Sequence, residues 1–158
     1  MERSPMTPEG KAKLEAELRH YLSVVRPQTV LEIEEARAHG DLSENAEYDA
    51  AKEKQAQGEA RKNLLQSRLS VAEVIDIQKV DESERVIFGT TVDLVDCETE
   101  EERSWRIVGT DEADVRLGSI SFDSPVGRAL LGKEIGEVVK VSTPRGVREF
   151  EIMDVHYK

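Results

Sequence analysis

The stretch Ala36-Arg37-Ala38-His39-Gly40-Asp41-Leu42-Ser43-Glu44-Asn45-Ala46-Glu47-Tyr48 separates two long helical patterns and decides how the first half of the chain folds. Glycine is the residue best suited to the left-handed position that ends a helix, so the first pattern is expected to stop at His39-Gly40. A second pattern resumes within a few residues and runs from Ser43 to Ala72. Two long helices joined by so short a turn pair as an antiparallel hairpin. At ~1.5 Å per residue, arms of about 30 residues make a rod near 45 Å long.

Upstream, Thr7 suits the N-cap, Pro8 the first helical position, and Glu9 the positive end of the helix dipole. Apolar or small residues follow at Leu14, Leu18, Leu22, Val25, Thr29, Ile33 and Ala36, in steps of 4, 4, 3, 4, 4, 3. This eleven-residue repeat lies close to the natural helix period and predicts a nearly straight pairing. Pro27 interrupts it. Inside a helix proline removes one hydrogen bond and costs about 3 kcal/mol, so a kink or a break into two collinear helices is expected there. Downstream the seam is thin at Ala46, Ala50 and Ala51 and fuller at Leu64, Leu65, Leu69 and Ala72.

Beyond Ala72 the composition changes. Residues 8–72 carry ten Lys/Arg against twelve Asp/Glu, whereas 73–158 carry eleven against twenty. Short β-branched runs at Val74–Val80, Thr91–Cys97, Trp105–Val108, Val138–Val141 and Val147–Val155 alternate with turn residues and read as strands. Ser124-Pro125 opens one short helix that ends at Gly132. The fold class is therefore α+β in two domains. Residues 1–75 form the helical hairpin, and 76–158 an antiparallel sheet with one short helix.

The 158 residues carry a net charge of −11, which argues against autonomous, sequence-specific binding to duplex DNA. The single cysteine, Cys97, excludes an internal disulfide and a Cys/His metal cluster of the usual kind. The opening MERSPMTPEG has no apolar signal-peptide core, and no run approaches transmembrane length. A soluble, cytoplasmic protein is expected.

Two carboxylates, Asp41 and Glu44, fall in the turn of the hairpin. One reading makes them a capping box with helix-start acids. The other is suggested by their place at the end of a long thin rod. Magnesium keeps most of its waters and takes oxygen ligands from several sources, so two exposed acids could complete a metal site supplied by a partner. Of the nearby cations, Arg37, Lys52 and Lys54 are candidates for phosphate contact, with solvated salt bridges as the plain alternative. His39 reads as a turn residue.

The stretch ARAHGDLSENAEYDAAKEKQ, residues 36–55, closely resembles the tip signature of the Gre family of transcript cleavage factors. SPMTPEGKAKLEAEL near the start and SISFDSPVGRALLGKEIGEVV near the end resemble the same family. The sparse, acid-interleaved basic residues resemble its GreA-type branch. The resemblance implies a coiled-coil hairpin that enters the secondary channel of bacterial RNA polymerase and an FKBP-like C-terminal domain docked at the channel mouth. It further implies that Asp41 and Glu44 share a catalytic Mg²⁺ with the polymerase, which itself cleaves backtracked nascent RNA. Arg37, Lys52 and Lys54 would contact RNA or polymerase, and the factor would be a monomeric accessory protein, not an enzyme. A channel-binding inhibitor would share this architecture, although the paired acids favour activation. A prolyl isomerase or chaperone would need an aromatic pocket, for which the second half offers Phe88, Trp105, Phe122, Phe150 and Tyr157, several of them needed for the core.

Overall fold

The computed structural model describes residues 3–40 and 45–158. The chain divides into two compact units: Lys11–Ala72, and Arg3–Gly10 together with Glu73–Lys158. In chain order the elements are β1 (Ser4–Met6), α1 (Pro8–His20), a π-helical turn (Tyr21–Val25), α2 (Arg26–Ala38), α3 (Ala46–Ser70) and β2 (Ala72–Val74). There follow β3 (Thr91–Asp96), β4 (Glu102–Val108), β5 (Ser119–Ser121), α4 (Pro125–Leu130), β6 (Val138–Thr143) and β7 (Gly146–His156).

In the helical unit, α2 and α3 pack side by side. Their direction follows from the cross-helix pairs Glu17–Arg61, Arg26–Glu59 and Glu32–Lys54, in which one number rises as the other falls. The pairing is antiparallel. At Pro27 the helical backbone continues without a gap from α1 through the π turn into α2. The π turn precedes the proline, with the Arg26 N–H bonding to the Tyr21 carbonyl five residues back. This wider turn relieves the clash that proline makes with the carbonyl four residues behind it.

The expected stripe departs at one position in that turn, while Leu18, Val25 and Ile33 stay half-buried. Leu14, Thr29 and Ala36 are buried, but Leu22 is 36% exposed. Tyr21 turns inward instead: its ring lies against Gly58, where an added Cβ would fall 2.5 Å from Cε2. The Arg26 guanidinium sits 5.6 Å from the same ring and donates to Glu59 at 2.8 Å. That hydrogen bond is the main cause holding the Glu59 carboxyl below its usual range. On α3 the sheltered positions are Tyr48, Ala51, Gln55, Gly58, Lys62, Leu65 and Leu69, alternating steps of three and four. Ala46, Ala50 and Leu64, expected in the seam, are exposed.

The second unit is built on a five-stranded sheet of order β5-β4-β3-β7-β6. Strand β3 alternates buried Val92 and Leu94 with half-exposed Thr91, Asp93 and Val95, as a strand covered on one face should. Val92, Leu94, Ile107, Leu130, Val141 and Ile152 are at most 2% exposed and form the core with Phe88, Phe150 and Tyr157. Two expectations need correction. The run Val74–Val80 is not one strand: β2 ends at Val74, and a 3₁₀ turn capped by Asp76 occupies Ile77–Lys79. The sheet is also not wholly antiparallel, because β5, too short to stand out in the sequence, pairs parallel to β4.

Helix α4 begins as its sequence dictates, with Ser124 Oγ accepting the Gly127 N–H at 3.1 Å. Gly127 permits its close approach to β5, since a Cβ there would fall 2.3 Å from the Ser121 carbonyl oxygen. The β3–β4 turn is fastened by buried Asp96, whose Oδ1 accepts the N–H groups of Glu98 and Thr99 and whose Oδ2 lies 2.7 Å from Arg148. The Glu98 N–H above all, with Thr99 and Arg148, holds the Asp96 carboxyl below the usual carboxylate range against the opposing effect of burial. No described helix is long and apolar enough to cross a membrane.

Gly127→Ala should lower stability by about 1–3 kcal/mol, although alanine favours helices, because the clash is with backbone that cannot rotate away. Equal or higher stability in urea denaturation would show that α4 can shift off β5. A depressed carboxyl contributes stability that is fully present above its unfolded pKa and is lost as pH falls through the folded value. Below about pH 4 the wild type should therefore lose stability more steeply than Asp96→Asn, read from denaturation midpoints across pH.

Candidate functional site at the helical turn

The last turn of α2 closes with the His39 N–H on the Ala36 carbonyl and the Gly40 N–H on the Arg37 carbonyl, both at 3.2 Å. Gly40 has φ +101°, a conformation other residues rarely adopt, and so ends the helix where the sequence places the stop. Helix α3 starts later than expected. Its N-cap is Asn45, whose Oδ1 accepts the Tyr48 N–H at 3.1 Å. The same side chain reaches across to α2, its Nδ2 donating to the Ala36 carbonyl at 2.6 Å. One amide thus satisfies a free donor at the start of α3 and an acceptor near the end of α2. The acids that favour the dipole of α3 are Glu47 and Asp49, in its first turn.

Asp41 and Glu44 lie outside the described residues. In the flanking structure Asn45 supplies the N-cap of α3, and Glu47 and Asp49 stand in its first turn. Beside the turn, a hollow of about 330 Å³ lies between the helices over small Ala36 and Ala51, rimmed by Glu32, Glu35, His39, Glu47 and Lys54. His39 stands 3.8 Å from Glu47, both widely exposed, which fits a turn residue.

The three candidate cations differ in what holds them. Lys54 Nζ donates to both oxygens of Glu32 on α2, at 3.2 and 3.3 Å. Lys52 Nζ donates to Gln55 at 3.3 Å, one turn along its own helix. Arg37 is exposed in the last turn of α2. All three side chains stand at the surface, where ion pairs contribute about 1 kcal/mol or less.

Asn45 went unread in the sequence although asparagine is among the best N-caps and acids follow at Glu47 and Asp49, because the Asp41–Glu44 spacing suggested a capping box there instead. In the second unit the aromatics are spent on packing. Phe88 meets Phe122 and Trp105 meets Phe150 edge-to-face, each at 6.1 Å, with Phe88, Phe150 and Tyr157 buried in the core.

Family comparison agrees with this architecture. Residues 4–74 match the family described as transcription elongation factor, N-terminal, and residues 81–157 match transcription elongation factor, GreA/GreB, C-term. The chain belongs to the GreA/GreB family of transcription elongation factors. It is 53% identical to transcription elongation factor GreA of Hyphomonas neptunium over 158 residues, 100% of both chains. It is 55% identical to GreA of Azorhizobium caulinodans over 157 residues, 99% of each. Among solved structures, GreA factor homolog 1 (Gfh1) of Thermus thermophilus is 29% identical, covering 98% of this chain and 99% of that one, with a TM-score of 0.44.

Replacing Asn45 with alanine should remove both hydrogen bonds and cost about 1–2 kcal/mol, as for a strong N-cap. Amide hydrogen exchange should be fastest at Tyr48 and its neighbours. Unchanged protection there would mean that Asn45 does not hold the turn.

Proposed function

We propose that this protein stimulates the cleavage activity of RNA polymerase itself, acting on the 3′ ends of backtracked nascent RNA and so releasing arrested complexes. The helix pair acts as a coiled-coil hairpin that enters the secondary channel of bacterial RNA polymerase. The sheet unit, an FKBP-like domain, docks at the channel mouth. The protein is an accessory factor and not an enzyme, works as a cytoplasmic monomer, and binds no DNA sequence by itself.

Asp41 and Glu44 carry the activity. What most supports this is membership of the elongation-factor family, in whose tip signature, residues 36–55, both acids fall. As donors they suit Mg²⁺, a hard cation that takes carboxylate oxygens and keeps several waters. Two carboxylates alone hold such an ion weakly, so Asp41 and Glu44 would hold it only together with groups of the polymerase. A Mg²⁺ so held supplies charge stabilisation and an oriented, acidified water for phosphodiester hydrolysis. The chain's own task is delivery: a helix pair carries the two acids of its turn to the partner. Arg37, Lys52 and Lys54 would contact the RNA or the polymerase, with Lys54 exchanging Glu32 for phosphate. Membership of the elongation-factor family and burial of the second unit's aromatics in its core both favour this reading over an isomerase.

Asp41→Asn and Glu44→Gln keep side-chain size and remove charge. Each variant should compete normally for polymerase yet lose at least about tenfold in cleavage of 3′-labelled RNA in a backtracked complex, with partial rescue by added Mg²⁺. Near-normal rates in both variants, with the fold confirmed by circular dichroism, would return the pair to a structural role and end this mechanism.

A further inference from the structure

Strands β3 and β7 pair antiparallel with Thr91 opposite His156 and Asp93 opposite Asp154. Residues two apart on a strand share a face, so Asp93, Asp154 and His156 occupy three corners of one rectangle on the outer side of the sheet. His156 Nε2 lies 2.8 Å from Asp93 Oδ2 and 3.7 Å from Asp154 Oδ2. One ligand atom from each of the three residues falls within 4.8 Å of the other two. Ligands on a tetrahedral ion at about 2.1 Å stand some 3.4 Å apart, so the donors need only rotamer-scale adjustment to meet a metal.

The arrangement is costly without a cation. Like charges placed directly opposite across an antiparallel pair destabilise it. His156 Nε2 lies nearer Asp93 than Asp154, whose Oδ1 accepts the Val155 N–H at 2.9 Å while its Oδ2 faces the trio. Arg106 stands on the same face, opposite Thr91, but is taken up by Glu9 and the Gly89 carbonyl. A divalent ion between the three donors would neutralise both carboxylates at once. Supporting hydrogen bonds are also in place: Ser104 Oγ donates to Asp93 Oδ1 at 2.9 Å, fixing the carboxylate with Oδ2 toward His156. All three side chains remain a third or more exposed, which leaves an entry path and room for water as a fourth ligand.

We propose that Asp93, Asp154 and His156 form a binding site for a divalent transition ion of the zinc class, separate from the acids of the helical turn. The nitrogen donor selects against Mg²⁺ and favours zinc-like ions over hard cations. Once bound, the ion ties the end of β7 to β3 at the centre of the sheet.

The full-length, untagged protein carries three histidines, His20, His39 and His156, whose ring signals can be followed separately by NMR. Zn²⁺ is added in the presence of excess Mg²⁺, which occupies weak carboxylate sites. The His156 ring should shift first and saturate at one equivalent, and Zn²⁺ should raise the melting temperature. His156→Gln and Asp154→Asn should each weaken Zn²⁺ binding at least about tenfold and abolish the thermal shift. The proposal is overturned if His156 responds no earlier than His20 and His39. It is equally overturned if folded His156→Gln binds Zn²⁺ as tightly as the wild type, the trio being then only an ion pair.

Discussion

One asparagine amide joins the two long helices where they meet. Asn45 caps α3 through its oxygen and holds the Ala36 carbonyl of α2 through its nitrogen. Helix ends carry unsatisfied backbone groups that must find partners, and here a single side chain serves both helices.

The rest of the helical unit is held by means that avoid a large apolar seam. Leu65 and Leu14 anchor one end, while Ala36 and Ala51 give thin packing near the turn. Between them, Arg26 bonds Glu59 and stacks over Tyr21, which itself fills the space above Gly58. The π turn makes this possible: it accommodates Pro27 and swings Tyr21 inward in place of Leu22. A helix pair built this way stays slender, because small and polar contacts replace bulky side chains.

The sheet unit follows the opposite economy. Its few aromatics and its buried Val, Ile and Leu side chains are gathered into one core, with close backbone approach at Gly127 and a fastened turn at Asp96. Its outer face keeps charged rows, among them the Asp93–Asp154–His156 trio.

Local chemistry determined a good deal by itself. Thr7, Ser124-Pro125 and Gly40 set helix starts and stops through capping and backbone preference, which act over three or four residues and so can be read directly. The alternation in Thr91–Asp96 and the long apolar stripes marked the main strand and both arms of the helix pair, and residues 36–55 carried the family signature. Other features came only with tertiary structure. The bridge from Asn45 to the Ala36 carbonyl depended on α2 lying beside the start of α3. The inward turn of Tyr21 depended on a glycine thirty-seven positions away on α3. Strand β5, three residues long, exists because β4 lies beside it, and the metal-binding trio exists because the register of β3 against β7 places residues 93, 154 and 156 on one face. Each needs a partner distant in the chain, and pairing across such distances is decided by packing and register, which no local pattern encodes.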